Sequence, residues 1–186
     1  GSFKNMQIKE GDSILVRAAT SGVGLAFLKL VKAQFPQNRV VGAVRSLAKK
    51  DLLQHQGFDE IILDEKGVLQ TEEKFDKILE LVGPATLKNS FDHIQSAGII
   101  CNTGQLGGKW YVEEFDPIVE IKNNSFLTSF YSGNVSQQLF DELFSYIDVY
   151  QINVSPQRVF SLEQIPAAHS YIESQVGFGK MVVLND

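Results

Sequence analysis

The stretch Ala19-Thr20-Ser21-Gly22-Val23-Gly24 has residue types and spacing suited to holding a doubly anionic group. A pyrophosphate needs free backbone N–H groups at a helix N-terminus and no bulky side chain in its way. Ala19, Ser21 and Gly22 give that access, with Thr20 and Val23 completing the turn. Gly24 has no Cβ, so the helix that follows can lie close on the strand before it. Ala19 and Ser21 replace the first two glycines of a strict G-x-G-x-x-G, so the weight rests on context: a buried strand before the turn and an amphipathic helix after it. A tight strand-to-helix turn without ligand is the other reading of the same residues. The phosphate loop of nucleoside triphosphatases is excluded. It requires Gly-Lys-Ser/Thr ahead of a helix, and the two Gly-Lys pairs continue as Gly108-Lys109-Trp110 and Gly179-Lys180-Met181.

A second cluster stands where a dinucleotide ribose is read. NAD-selective sites carry Asp or Glu about 20 residues past the glycines to bind the ribose 2′-hydroxyl. Counting from Gly24 reaches Val44-Arg45-Ser46, and no acid is there. Arg45 offers a fixed fork of donors to a 2′-phosphate, and Ser46 adds a hydroxyl. The pair points to NADP(H); solvated surface charge is the alternative for Arg45. Other chemistries fall away. His55, His93 and His169 are scattered and form no metal spacing. The single cysteine, Cys101, builds neither a disulfide framework nor a zinc site and reads as a small core residue. None of the five tyrosines is followed four residues on by lysine, as a short-chain dehydrogenase would need. A methyltransferase would want an acid where Arg45-Ser46 stands.

These residues must be positioned by strands and helices in alternation. Ile14 to Ala19 is an apolar run broken only by Arg17, as expected for a strand covered on both faces. Val23, Ala26, Phe27, Leu30 and Val31 then recur with helical spacing. Strands are expected at Arg39 to Val44, Glu60 to Leu63, Phe75 to Leu81, Ala97 to Thr103 and Ser125 to Tyr131. A helix is expected near Leu47 to Gln54, and another from Pro84, at its first position, to about Gln95. Gly104 to Asn124 reads as a loop. Leu139, Phe140, Leu143, Phe144 and Ile147 form the clearest helical stripe. A strand at Arg158 to Phe160, a capping box of Ser161 with Gln164, and a final strand Lys180 to Leu184 close the pattern. The fold class is therefore α/β: a doubly wound parallel sheet in three layers, with ligands at the carboxyl ends of its strands. With 186 residues, 44% hydrophobic and 21% charged, the chain can bury one real core. A net charge of −5 gives no general attraction for nucleic acid or an anionic membrane, and no apolar run is long enough to span a bilayer. A cytoplasmic setting is the default expectation.

Several ordered matches extend the glycine turn. Gly11-Asp12-Ser13-Ile14-Leu15-Val16 with Ala18-Ala19-Thr20-Ser21-Gly22-Val23-Gly24 resembles the cofactor-domain opening of the medium-chain dehydrogenase/reductases, closest to the zinc-less quinone-oxidoreductase branch. Val41-Gly42-Ala43-Val44, Phe75-Asp76-Lys77-Ile78-Leu79-Glu80-Leu81-Val82-Gly83, Ala97-Gly98-Ile99-Ile100 and the tail from Phe160 to Leu184 follow in the same order. The resemblance implies a Rossmann fold. It adds Lys49 as a further 2′-phosphate ligand, with ordinary surface charge as the alternative. It implies a nicotinamide site at Leu81, Val82 and Gly83 and at Asn102, Thr103 and Gly104, with backbone groups of Thr103 on the carboxamide. It implies Lys180 as a pyrophosphate ligand, against the alternative of an exposed strand lysine. Asp64 stands where some relatives carry a tyrosine beside the adenine.

The same resemblance sets the expected organisation. Residues 1–153 would form the cofactor domain, and 154–186 a segment that in complete relatives packs on an N-terminal GroES-like domain. That domain is absent from this sequence, and Gly1-Ser2 has the look of an expression scar, so an excised cofactor domain with little turnover of its own is expected. The function implied is NADPH-dependent hydride transfer to a quinone, enone or other activated alkene or carbonyl, with catalytic residues lying mostly outside the chain. A free-standing NADPH-binding module that senses redox state or docks on a partner is the alternative. The uncharged strand Ser125 to Tyr131, at the sheet edge opposite the third strand, implies a homodimer paired edge to edge.

Overall fold

The computed structural model describes residues 1–174 and 177–185. Seven strands, β1 (Ile14–Arg17), β2 (Val40–Val44), β3 (Glu60–Glu65), β4 (Val68–Leu69), β5 (Phe75–Glu80), β6 (Ile94–Asn102) and β7 (Phe126–Ser129), make one sheet in the order β4-β3-β2-β1-β5-β6-β7. Every pairing is parallel except that of β3 with β4. The helices are α1 (Ser2–Asn5), α2 (Gly22–Gln34), α3 (Lys50–His55), α4 (Leu87–Asp92), α5 (Pro117–Glu120), α6 (Gln137–Val149) and α7 (Ile165–Glu173). Strand order reverses between β1 and β5, so the crevice for a ligand lies beyond the ends of those two strands.

Alternation along the strands sorts the core into two layers. Ile14 and Val16 face one cluster, with Leu25, Leu28 and Val31 of α2 and Leu53 of α3. Leu15, Val41, Ile78 and Ile100 face the other, with Leu87 and Phe91 of α4. The expected doubly wound α/β sheet with helices on both faces is the fold observed.

The differences are local and have physical reasons. Pro84 does not open a helix: Gly83 takes φ +89° and its carbonyl accepts from Thr86 and Leu87 N–H, so the helix starts at Leu87. It stops at Asp92, because β6 begins at Ile94 and reaches its main register through an irregularity against β5, with Ala97 at φ 58°. The hairpin strand β4 was not anticipated, so the edge opposite β7 is β4 and not the third strand. Within the loop after β6, Asp116 caps a short helix through Ile118 N–H at 2.9 Å. The last strand, β9 (Met181–Leu184), pairs with β8 (Arg158–Ser161) in a sheet of its own. In the expected capping box, the Gln164 side chain accepts from Ser161 N–H at 3.0 Å.

Candidate dinucleotide site

The glycine turn is built by its own hydrogen bonds. Ser21 N–H donates to Ala18 O at 3.0 Å, and Ala18 adopts φ 60°, which turns the chain sharply out of β1. Ser21 then caps α2, its hydroxyl accepting from Gly24 N–H at 3.0 Å. A Cβ on Gly24 would lie 3.1 Å from Ala18 O and 3.2 Å from Ala19 O, so only glycine lets α2 sit this close to the strand end. Gly22 and Val23 follow the cap with their N–H groups at the open end of the helix. The tail of the chain closes over them. Gly179 N–H donates to Thr20 O at 3.1 Å, and the Lys180 side chain lies where a Cβ on Gly22 would meet it at 2.9 Å.

A basic cavity of about 400 Å³ opens beside this turn, at the end of β2. Thr20, Arg45, Ser46 and Lys49 line it together, with Ile172 and Gly177 as the far wall. Arg45 is exposed. The Ser46 hydroxyl accepts from Ala48 N–H at 3.3 Å, which leaves its proton free to donate outward. Lys49 Nζ donates to Gly177 O at 2.6 Å, and burial holds its ammonium below the usual lysine range. Thr20, Arg45 and Ser46, read from the glycine turn and the spacing after it, and Lys49, which the resemblance adds, thus share one cavity. The wall of Ile172 and Gly177 was not foreseen.

The other end of the crevice is made of backbone. Leu81 is 2% exposed and belongs to the core, so the chain there can offer only main-chain groups. Gly83 and Gly104 touch: a Cβ on Gly83 would come within 2.4 Å of Gly104 O, and one on Gly104 within 2.3 Å of Leu81 O. Thr103 is partly committed within the fold. Its N–H donates to Glu80 O at 2.9 Å and its hydroxyl pairs with Ser2 Oγ at 2.8 Å, so neither is open to a ligand. Asn102 offers an acceptor instead: its Oδ1 is buried with no hydrogen-bond partner among the described residues.

Beneath both ends lies a buried ionic cluster that the sequence reading missed. Arg17, fully buried as the last residue of β1, donates to Asp64 Oδ2 from Nη2 at 2.6 Å and from Nε at 3.1 Å. Its Nη1 reaches Thr86 O, Asn89 Oδ1 and Ser90 Oγ. Glu80, fully buried as the last residue of β5, lies with Oε2 3.8 Å from Arg17 Nε and accepts from Ser90 Oγ at 2.6 Å. A signal was available. An arginine inside an apolar strand must bury its charge against acids, and Asp64 and Glu80 stand near the ends of β3 and β5. Asp64, where relatives place a tyrosine, is committed to this cluster. Of the histidines, His93 is buried with Nδ1 3.0 Å from Glu73 O, while His55 and His169 are exposed. Among the described residues no group of histidines, cysteines and acids is placed to hold a metal, and no helix is long and apolar enough to cross a membrane.

Residues 56–183 match the sequence profile of the zinc-binding dehydrogenases. The chain belongs to that family. Its likeness extends to a quinone oxidoreductase of Pseudomonas aeruginosa, 26% identical over 96% of this chain and 58% of the relative. Among solved structures, a mycobacterial protein complexed with NADPH superposes with a TM-score of 0.77 at 21% identity, covering 99% of this chain and 62% of the other. A Bacillus subtilis protein with NAD bound superposes with a TM-score of 0.79 at 21% identity, covering 98% and 57%. This chain therefore spans just over half the length of the quinone oxidoreductase it matches.

Proposed function

We propose that this chain is the NADPH-binding half of an oxidoreductase that delivers hydride to a quinone, enone or similar activated acceptor. The observation that carries the reading is the basic cavity at the end of β2, where Arg45, Ser46 and Lys49 converge and no acid stands. Three features fit a 2′-phosphorylated dinucleotide. That cavity suits the 2′-phosphate. The open N-terminus of α2, with Lys180 beside Gly22, suits the pyrophosphate. The unpartnered Asn102 Oδ1 suits the N–H of a carboxamide. The reduced nicotinamide supplies the hydride. The chain's own task is to bind and orient: side chains at the phosphate end, backbone and the Asn102 amide at the ring end. The NAD- and NADPH-bound structural neighbours support a nicotinamide dinucleotide as the class of ligand.

Calorimetric titration of the 186-residue chain with both cofactors tests this. NADPH is expected to bind more tightly than NADH, and Arg45→Asp to shift the preference toward NADH by roughly tenfold, the worth of a charge-assisted hydrogen bond. Equal affinities for the unmodified chain would refute the NADPH assignment.

The other partners follow from the same reading. Segment 154–186 carries the separate β8–β9 sheet with Val159, Val182 and Leu184 exposed, and we assign that surface to packing on a substrate-side domain. Edge strand β7 exposes Phe126 and Leu127 and carries no charge, and we assign it to pairing with a second copy. Light scattering is expected to give a dimer that Thr128→Lys converts to a monomer. A monomeric unmodified chain at micromolar concentration would end that assignment.

A further inference from the structure

The reversal point of the sheet is held by one side chain. Glu80 Oε1 accepts from Val82 N–H at 2.8 Å and from Gly83 N–H at 3.0 Å. The Glu80 carbonyl accepts from Thr103 N–H at 2.9 Å and from Gly104 N–H at 3.2 Å. The loops after β5 and β6 therefore both hang on this residue, and they meet at the Gly83–Gly104 contact. Its second carboxylate oxygen is anchored from below by Ser90 Oγ at 2.6 Å and faces Arg17 at 3.8 Å. Arg17 ends the strand that leads into the glycine turn, so the same cluster sets the pyrophosphate turn and the ring-end loops relative to each other.

We propose that Glu80 is a positioning residue for the nicotinamide half of the bound dinucleotide, with Arg17 and Ser90 fixing its carboxylate. It touches no ligand. It holds Val82 and Gly83 in the turn that opens the ring-end crevice beside Asn102. This rests on the dinucleotide reading above, and it makes a narrower claim: loss of the Glu80 carboxylate weakens the grip on one half of the ligand and spares the other.

Matched ligands separate the halves. NADPH is titrated against 2′-phospho-ADP-ribose, which keeps the adenine, the 2′-phosphate and the pyrophosphate but lacks the nicotinamide. NADH against ADP-ribose forms a second pair that does not depend on the 2′-phosphate. For Glu80→Met, affinity for each whole dinucleotide is expected to fall about tenfold, the scale of losing a charged acceptor for two N–H groups, while each fragment changes less than about twofold. Glu80→Gln retains an oxygen for both N–H groups and is expected to recover most of the loss. Should the methionine variant not fold, Ser90→Ala decides. It frees the carboxylate without removing it, and the same split is expected at a few-fold. Equal losses on dinucleotide and fragment, no loss on either, or an unmodified chain that binds dinucleotide no better than fragment would each overturn the proposal. An unmodified chain that binds none of the four ligands would instead overturn the dinucleotide reading, and this inference with it.

Discussion

The two ends of the crevice are made in different ways. At the phosphate end, Arg45, Ser46 and Lys49 project charged and polar side chains into an open cavity whose far wall is the returning tail of the chain. At the ring end the ligand-facing material is main chain apart from the Asn102 amide, held by glycine contacts and by a carboxylate with no exposure to solvent. Recognition by side chains can be retuned one residue at a time. Recognition by backbone depends on whatever lies beneath it, here an arginine and two acids, of which the arginine cannot be removed without leaving buried carboxylates without a cation.

The largest test of that contrast is Arg17→Met. Removing the guanidinium leaves Asp64 and Glu80 buried without their cation, and a loss of about 3–5 kcal/mol in urea unfolding is expected. A loss under about 1 kcal/mol, the range of an exposed pair, would mean the ring end is no more rigidly founded than the phosphate end. Gly83→Ala should act on a smaller scale. It puts a Cβ at φ +89° and within 2.4 Å of Gly104 O, for an expected cost of about 1–3 kcal/mol with the phosphate-end cavity untouched. A thermal melt matching the unmodified chain would break the claim that this turn admits only glycine.

The smallest effect belongs to Lys49. Burial disfavours its ammonium, so the folded-state pKa lies below that of the unfolded chain. Below the folded pKa the charged group costs the fold a little. That cost is relieved as pH rises through the folded value toward the unfolded one. Phosphate binding runs the other way, because it needs the cation. The preference for NADPH over NADH should decline at a lower pH than an ordinary lysine would dictate, and Lys49→Met should flatten the decline. A preference constant through the alkaline range would remove Lys49 from the phosphate site.

The same contrast explains what could be read from the sequence. Periodicity located the strands because buried parallel strands are near-continuous apolar runs, as in Val40–Val44. Arg45, Ser46 and Lys49 were legible because their role, if spacing is right, lies in their own side-chain chemistry. The commitment of the Thr103 N–H was not legible because the use of a backbone N–H is decided by register, and here β6 delivers it to Glu80 O. Pro84 was placed in a helix because its fixed φ suits a first turn, but the positive φ of Gly83 had already spent that position on a turn. The apolar stripe on α6 predicted a helix correctly without predicting its burial: Phe140 and Phe144 remain 44% and 58% exposed.

The closure of the phosphate end by the tail has a consequence for synthesis. Every strand of the large sheet is complete by Ser129, whereas Gly177, Gly179 and Lys180 leave the ribosome well afterward. A nascent chain can therefore assemble its sheet and the Arg17 cluster while still tethered. The cavity beside the glycine turn gains its far wall only with Ile172 and Gly177, so under the phosphate-binding proposal a chain released before them would be folded at its centre yet poor at capturing its ligand.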